Sequence, residues 1–337
     1  MTKIKAVKPL GFPWETQDPF LFCAHHLDHY PKGNANLGPD EHLLAGRNIG
    51  QDFETKDGWR MYHGQTVPGF PNHPHRGFET ITIVTQGLVD HADSLGGSGR
   101  FGNGDVQWMT AGKGIQHSEM FPLLDQENNN PFELFQIWLN LPKASKFVDA
   151  HYSMIWSEDL PILDVEDQHG KRIYARVVAG QLAGLAPPEP TPNSWAATKE
   201  NDVAVWIIRL EEGAQWKLPS GAEGSTRNLY FYSGDKLIVD GQEVTNYSSI
   251  EVEANQELAL EAKNAEANIL VLQGKPINEP VAKYGPFVMN TQREIMDTME
   301  DYQKTQFGGW PWPRPDQVHL TAKGRFAQYA DGSKEEK

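Results

Sequence analysis

The sequence predicts an all-β protein of two tandem antiparallel β-barrels, jelly-roll-like, with a C-terminal helix. Three observations carry this expectation. Runs rich in Thr, Ile, Val and aromatic residues recur at short spacing from Glu79 to Gly274, with no long helical pattern between them. Turn formers are plentiful, with 31 glycines and 23 prolines among 337 residues, which suits many short strands. The second half also repeats the rhythm of the first, since NILVLQGKPINEP echoes FELFQIWLNLP, each a strand that ends before a proline.

Taken in order, residues 1–60 show little periodicity, and AHHLDHYPKGNANLGPDEH reads as a structured loop. ETITIVTQGLVDHAD then reads as strand, SLGGSGRFGNGD as a dense turn, and VQWMTAGKGIQHSEM as strand with a Gly-rich interruption. PFELFQIWLNLP is an apolar strand closed by Pro142. The charged, turn-rich stretch 145–170 marks the join. Beyond it IYARVVAG, VAVWIIRLEEG, NLYFYSG and KLIVDGQEV are strands, and Asp240–Gly241 is a two-residue hairpin turn. LAGLAPPEPTPNSW is a proline-rich surface excursion. Thr291 and Glu294 form a capping box, and Ile295, Met296, Met299 and Tyr302 share the helical face expected to dock on a barrel. The charged tail after Gly324 reads as disordered. The expected domains are 1–150, with an insertion at about 24–70, then 151–290, then a helix and tail at 291–337.

Charge and cysteine content exclude several functions. Lys and Arg number 30 against 45 Asp and Glu, a net charge of −15, so direct binding to nucleic acid or to an anionic membrane is not expected. The single cysteine, Cys23, cannot form an internal disulfide or a thiolate zinc site, and points to a reducing, cytoplasmic setting. The N-terminus lacks the apolar core of a signal peptide, and no run reaches the ~18 apolar residues of a membrane span.

The chemistry lies in the histidines. None of the 12 falls between His169 and His319, so a histidine site built on strands belongs to the first barrel and the second is expected to be metal-free. His73 and His75 are two apart, which on a strand puts both on one face. Glu79 has the same parity, and Pro74 suggests a strand start or edge. His117 and Glu119 are again two apart. Imidazoles with one carboxylate and no thiolate suit a divalent first-row metal, and four protein ligands on an octahedral ion leave two positions for water, dioxygen or a chelating substrate.

Other residues have weaker claims. His25, His26, His29, His42 and His63 read as loop histidines, although His25 and His29 have an i, i+4 spacing. Trp108 and Met109 read as core that could wall a pocket. Lys113 and Gln116 either hydrogen-bond a ligand or only shape the turn beside His117. Asp90, His91 and Asp93 read as a solvated hairpin, ranked ahead of a second metal site, and Ser94 and Ser118 lack the base and orienting partner of a hydrolase.

The spacing His73, His75, Glu79 and then Gly87 resembles the first cupin motif. More specifically, HPHRGFETITIVTQG, GDVQWMTAGKGIQHSEM and EPVAKYGPFVMNT resemble the pirin family across most of the chain. The resemblance implies a bicupin with a metal only in the N-terminal barrel, held by His73, His75, His117 and Glu119. In other cupins the motif-one glutamate, Glu79 here, is the ligand, and that alternative stays open. It further implies one divalent metal, foremost Fe(II), with Ni, Cu, Mn, Co or Zn as alternatives. The implied activity is a quercetinase-type dioxygenase that takes a small aromatic substrate and dioxygen and opens a flavonol with loss of carbon monoxide. Glu119 is then the candidate base for the substrate hydroxyl. The competing reading is a metal- or redox-responsive regulatory protein acting through protein partners. A sugar-phosphate isomerase-type cupin ranks below both. The chain departs from short pirins in the long segment between Leu21 and His73, which is expected to lid the metal pocket.

Overall fold

The computed structural model describes residues 3–337. The chain divides into two compact units. One comprises the residues up to Ala24 with 138–140 and 158–278, and the other 25–137, 141–157 and 279–337.

In the first unit a seven-stranded antiparallel sheet runs in the order Ile4–Pro9, Ser248–Glu253, Thr226–Ser233, Ala267–Gly274, Ala204–Leu210, Arg172–Ala179 and Ile162–Glu166. A four-stranded sheet holds Gln215–Leu218, Leu258–Lys263, Lys236–Val239 and Gln242–Thr245. Period-two alternation builds the core between them. Leu229 and Phe231 enter it beside Trp206, Ile269 and Val271 from one sheet and Leu237 and Leu258 from the other. Tyr230, on the opposite face, stacks on Trp14 at 5.1 Å. The hairpin expected at Asp240–Gly241 is present, with φ of 50° and 85°, the left-handed pair that a tight two-residue turn requires.

The second unit holds the histidine strands. One sheet runs His151–Ile155, Val106–Thr110, Phe78–Gln86, residues 130–137 and residues 25–30. The other runs Lys334–Glu336, Phe326–Gln328, Ser98–Gly102, Leu88–Asp93, Ile115–Met120 and Gly69–His75. Val84, Val89, Phe101, Met109, Phe121, Phe132 and Leu134 form the core. Each fully buried side chain of this size contributes about 1.5–3 kcal/mol. Gly77 turns the chain between the Gly69–His75 and Phe78–Gln86 strands at φ 86°, and a Cβ there would lie 2.0 Å from the Val288 carbonyl oxygen. Only glycine fits.

Three local expectations are corrected. AHHLDHY is strand, not loop, and Asp28 within it is buried because it is paired. Arg60 Nε donates to Asp28 Oδ1 at 3.0 Å, and the Tyr62 hydroxyl donates to Asp28 Oδ2 at 2.7 Å. The tail is ordered, since Phe326–Gln328 pairs with Ser98–Gly102 and buries Phe326 and Ala327. In the helix Gln292–Thr305 the capping box is present. Ile295, Met299 and Tyr302 pack on Ala282, Phe287 and Met289, but Met296 stays 55% exposed, one step of about 100° from Ile295 around the helix.

Candidate metal centre

His73 and His75 lie on the last turn of pleat of the Gly69–His75 strand, and His117 and Glu119 on its antiparallel neighbour Ile115–Met120. His73 sits directly opposite His117 in that register. Alternation sends all four side chains inward, and the ligand atoms of the three histidines lie within 4.8 Å of one another. His73 is half-buried, while His75 and His117 are buried, so the cluster is approached from the His73 side.

The hydrogen bonding suits metal ligation. His73 Nδ1 lies 2.9 Å from the Pro71 carbonyl oxygen, and His75 Nδ1 lies 3.4 Å from that of Pro286. Donation through Nδ1 leaves each Nε2 lone pair pointing to the centre, where the two Nε2 atoms stand 3.1 Å apart. Both ring nitrogens of His117 are buried with no hydrogen-bond partner, a costly state that a bound cation would relieve. Burial holds His73 at about 4 and lowers His75 and His117 well below the ordinary imidazole value. The three rings are therefore neutral at pH 7, the form that binds a metal.

The two candidate carboxylates differ. Glu119 Oε2 lies 3.9 Å from His117 Nε2. It accepts from Gln136 Nε2 at 2.7 Å, and Glu119 Oε1 accepts from Thr82 Oγ1 at 3.0 Å. Burial raises the Glu119 carboxyl, against the pull of His91 and these donors. Glu79 is on a strand of the other sheet, opposite Thr110, whose Oγ1 donates to Glu79 Oε1 at 2.6 Å.

The surroundings revise several expectations. Asp90, His91 and Asp93 are buried rather than solvated. Arg100 grips Asp90 through both carboxylate oxygens at 2.7 and 2.8 Å. His91 pairs with Asp93 at 3.1 Å, with its ring 5.6 Å from that of His117. Gln116 anchors the C-terminal segment, since its side chain donates to the Gln306 carbonyl and accepts from the Tyr302 hydroxyl. Lys113 points outward to Asp149. Ser94 Oγ accepts from the Gln116 N–H. Met109 is core, and Trp108 is buried on the opposite face of its strand. His25 pairs with Glu133 at 2.9 Å and stacks on Phe135, while His29 on the same strand is exposed. His42 lies on an exposed turn of 3-10 helix, and His63 Nδ1 lies 2.8 Å from the Gly50 carbonyl oxygen.

The segment before His73 supplies an aromatic wall. Phe70 meets His73 at 6.3 Å between ring centroids, and Tyr62, Phe53, His26 and Phe121 pack round Phe70. Gln136, Thr82 and the Phe70 wall were not among the sequence candidates. No local pattern marks them, because strands distant in sequence bring them in.

The pirin family profile matches residues 14–139, and the pirin C-terminal cupin domain profile matches residues 205–308. The chain is 33% identical to Pirin-1 of Arabidopsis thaliana over 261 residues, 71% of this chain and 78% of that one. The chain belongs to the pirin family. A Pseudomonas aeruginosa relative named "Putative quercetin 2,3-dioxygenase" is 36% identical over 241 residues, 71% of this chain and 79% of that protein. A crystal structure titled quercetin 2,3-dioxygenase from Acinetobacter baumannii superposes with a TM-score of 0.71 at 29% identity, covering 92% of this chain and 99% of that one. The fold is thus the two-cupin fold of pirins, mostly β-sheet with one C-terminal helix. Among the described residues no helix is long and apolar enough to cross a membrane.

Proposed function

We propose that this pirin is a metal-dependent dioxygenase that opens a flavonol-like substrate with dioxygen at a centre of His73, His75, His117 and Glu119. The observation that carries the reading is the convergence of three neutral imidazoles, one with both nitrogens unpartnered, beside a buried carboxylate. The quercetin dioxygenase names of the Pseudomonas and Acinetobacter proteins support the reaction class.

When bound, a divalent ion, Fe(II) foremost, supplies Lewis-acid polarisation and a template for substrate and dioxygen. The protein does the rest. The Nδ1 contacts of His73 and His75 fix the orientation of two rings. Glu119, raised by burial, is suited to take the proton of the substrate hydroxyl. Gln136 and Thr82 hold its two oxygens in place while it does so. The Phe70 wall offers apolar surface on which flat aromatic rings stack. The heterocycle opens with departure of carbon monoxide. The buried single thiol, Cys23, suits a cytoplasmic enzyme.

The test is oxygen uptake with quercetin on anaerobically iron-loaded protein whose metal content is assayed in the same sample. Uptake that follows metal content and vanishes in His117→Ala supports the reading. No uptake at full metal occupancy would overturn it in favour of a metal-responsive regulatory protein.

A further inference from the structure

The unit whose strands hold no histidine contains a different unsatisfied group. Arg227 lies on the Thr226–Ser233 strand with the parity of Leu229 and Phe231, so its side chain enters the interior, where it is fully buried. Its cross-strand neighbours are Gln273 and Val252. Arg227 Nε donates to Gln273 Oε1 at 2.6 Å, and Gln273 Nε2 donates to Asp202 Oδ2 at 2.9 Å. One oxygen of the nearby carboxylate is already engaged, since Asp202 Oδ2 also accepts from the Ala222 N–H and the Ser225 hydroxyl, both at 2.7 Å. Gln273 thus stands between the cation and its natural counterion.

Both terminal nitrogens of Arg227 are buried with no hydrogen-bond partner, and so is Trp206 Nε1. The guanidinium carbon lies 5.9 Å from the Trp206 ring centroid. Burial lowers Arg227 only to about 10, so it is a cation at neutral pH. A buried cation whose terminal N–H groups point at nothing is among the costliest arrangements in a protein interior. All the unspent groups are donors, so the missing partner must bring acceptors and negative charge.

We propose that this barrel carries a binding site for a small carboxylate, anchored by Arg227 and assisted by Trp206. A guanidinium presents two parallel N–H bonds at its terminal edge, the spacing of a carboxylate's two oxygens. The next row inward is apolar, with Leu229, Val271 and the Trp206 ring, which suits a ligand with a small apolar body and disfavours a phosphate with a third charged oxygen turned to the core. The metal site plays no part in this inference.

Isothermal titration of the full-length, metal-loaded protein with acetate, phosphate and chloride at constant ionic strength tests it. Saturable one-to-one binding of acetate is expected, weakened at least tenfold in Arg227→Met and by less in Trp206→Phe. Arg227→Met should melt no lower than wild type in anion-free buffer, because it removes an uncompensated buried charge. Acetate should raise the melting temperature of wild type and leave that variant unmoved. If Arg227→Met fails to fold, the graded loss in Trp206→Phe decides. Absence of saturable acetate binding to wild type, equal binding by the variants, or binding of phosphate alone would each overturn the proposal.

Discussion

Gln136→Leu isolates the support of the carboxylate. The substitution keeps the approximate volume of the side chain and removes the amide that donates to Glu119 Oε2 at 2.7 Å, together with the Gln136 Oε1 acceptor that competes at 2.5 Å for the single Thr82 hydroxyl proton. A hydrogen bond to a charged group contributes about 1.5–3 kcal/mol. If Glu119 binds the metal, that loss falls on the metal complex, and at ~1.4 kcal/mol per decade metal affinity drops about 10- to 100-fold. Thr82 still holds Oε1 at 3.0 Å, so the carboxylate stays inside the barrel and the fold is retained. Affinity is read by chelator competition at fixed pH, with circular dichroism as the control for folding. Unchanged affinity in a folded variant would refute the reasoning, because Glu119 would then be either no ligand or a ligand that needs no positioning.

Four further outcomes are expected. His75→Ala or His117→Ala removes most bound metal and leaves the fold intact, as read by metal analysis and circular dichroism, whereas stoichiometric retention would contradict the ligand set. Glu79→Gln costs less metal than Glu119→Gln in the same assay, since Glu79 is occupied by Thr110, and the reverse order would favour Glu79 as ligand. The double variant His25→Ala/His29→Ala keeps its metal content, because one ring pairs with Glu133 and the other faces solvent, whereas a drop of one equivalent would reveal a second site. Gly114→Ala destabilises by about 1–3 kcal/mol from its φ of 132° alone, and its Cβ would lie 2.7 Å from the Phe307 ring. Hydrogen exchange at residues 306–316 should accelerate, and unchanged protection there would contradict the contact.

The histidine pattern was legible because strand geometry has period two, and two same-face pairs of rare residues survive any uncertainty about which strands are neighbours. The capping box at Thr291 and the Asp240–Gly241 turn were legible because their chemistry is local. Buried charge misled the reading. VDHADS looks solvated until Arg100 is known to grip Asp90 and His91 to pair with Asp93. AHHLDHY hid its strand for the same reason, since Asp28 is polar, fully buried and paired with residues more than 30 positions away. The tail strand Phe326–Gln328 has three residues, too few for any periodicity to emerge.

The unit that holds His73, His75 and His117 joins residues 25–137 and 141–157 to the C-terminal residues 279–337, with residues 158–278 of the other unit intervening. Trp312 Nε1 donates to the Asp93 carbonyl, Pro315 accepts from the Asn72 N–H, and Phe326–Gln328 supplies the strand beside Ser98–Gly102. On the ribosome, the histidine strands emerge first and wait for almost the whole chain before those partners exist, with an open sheet edge in the interval. Maturation of the centre is thereby tied to completion of synthesis, and a messenger truncated near its 3′ end would damage the half of the protein encoded at its 5′ end.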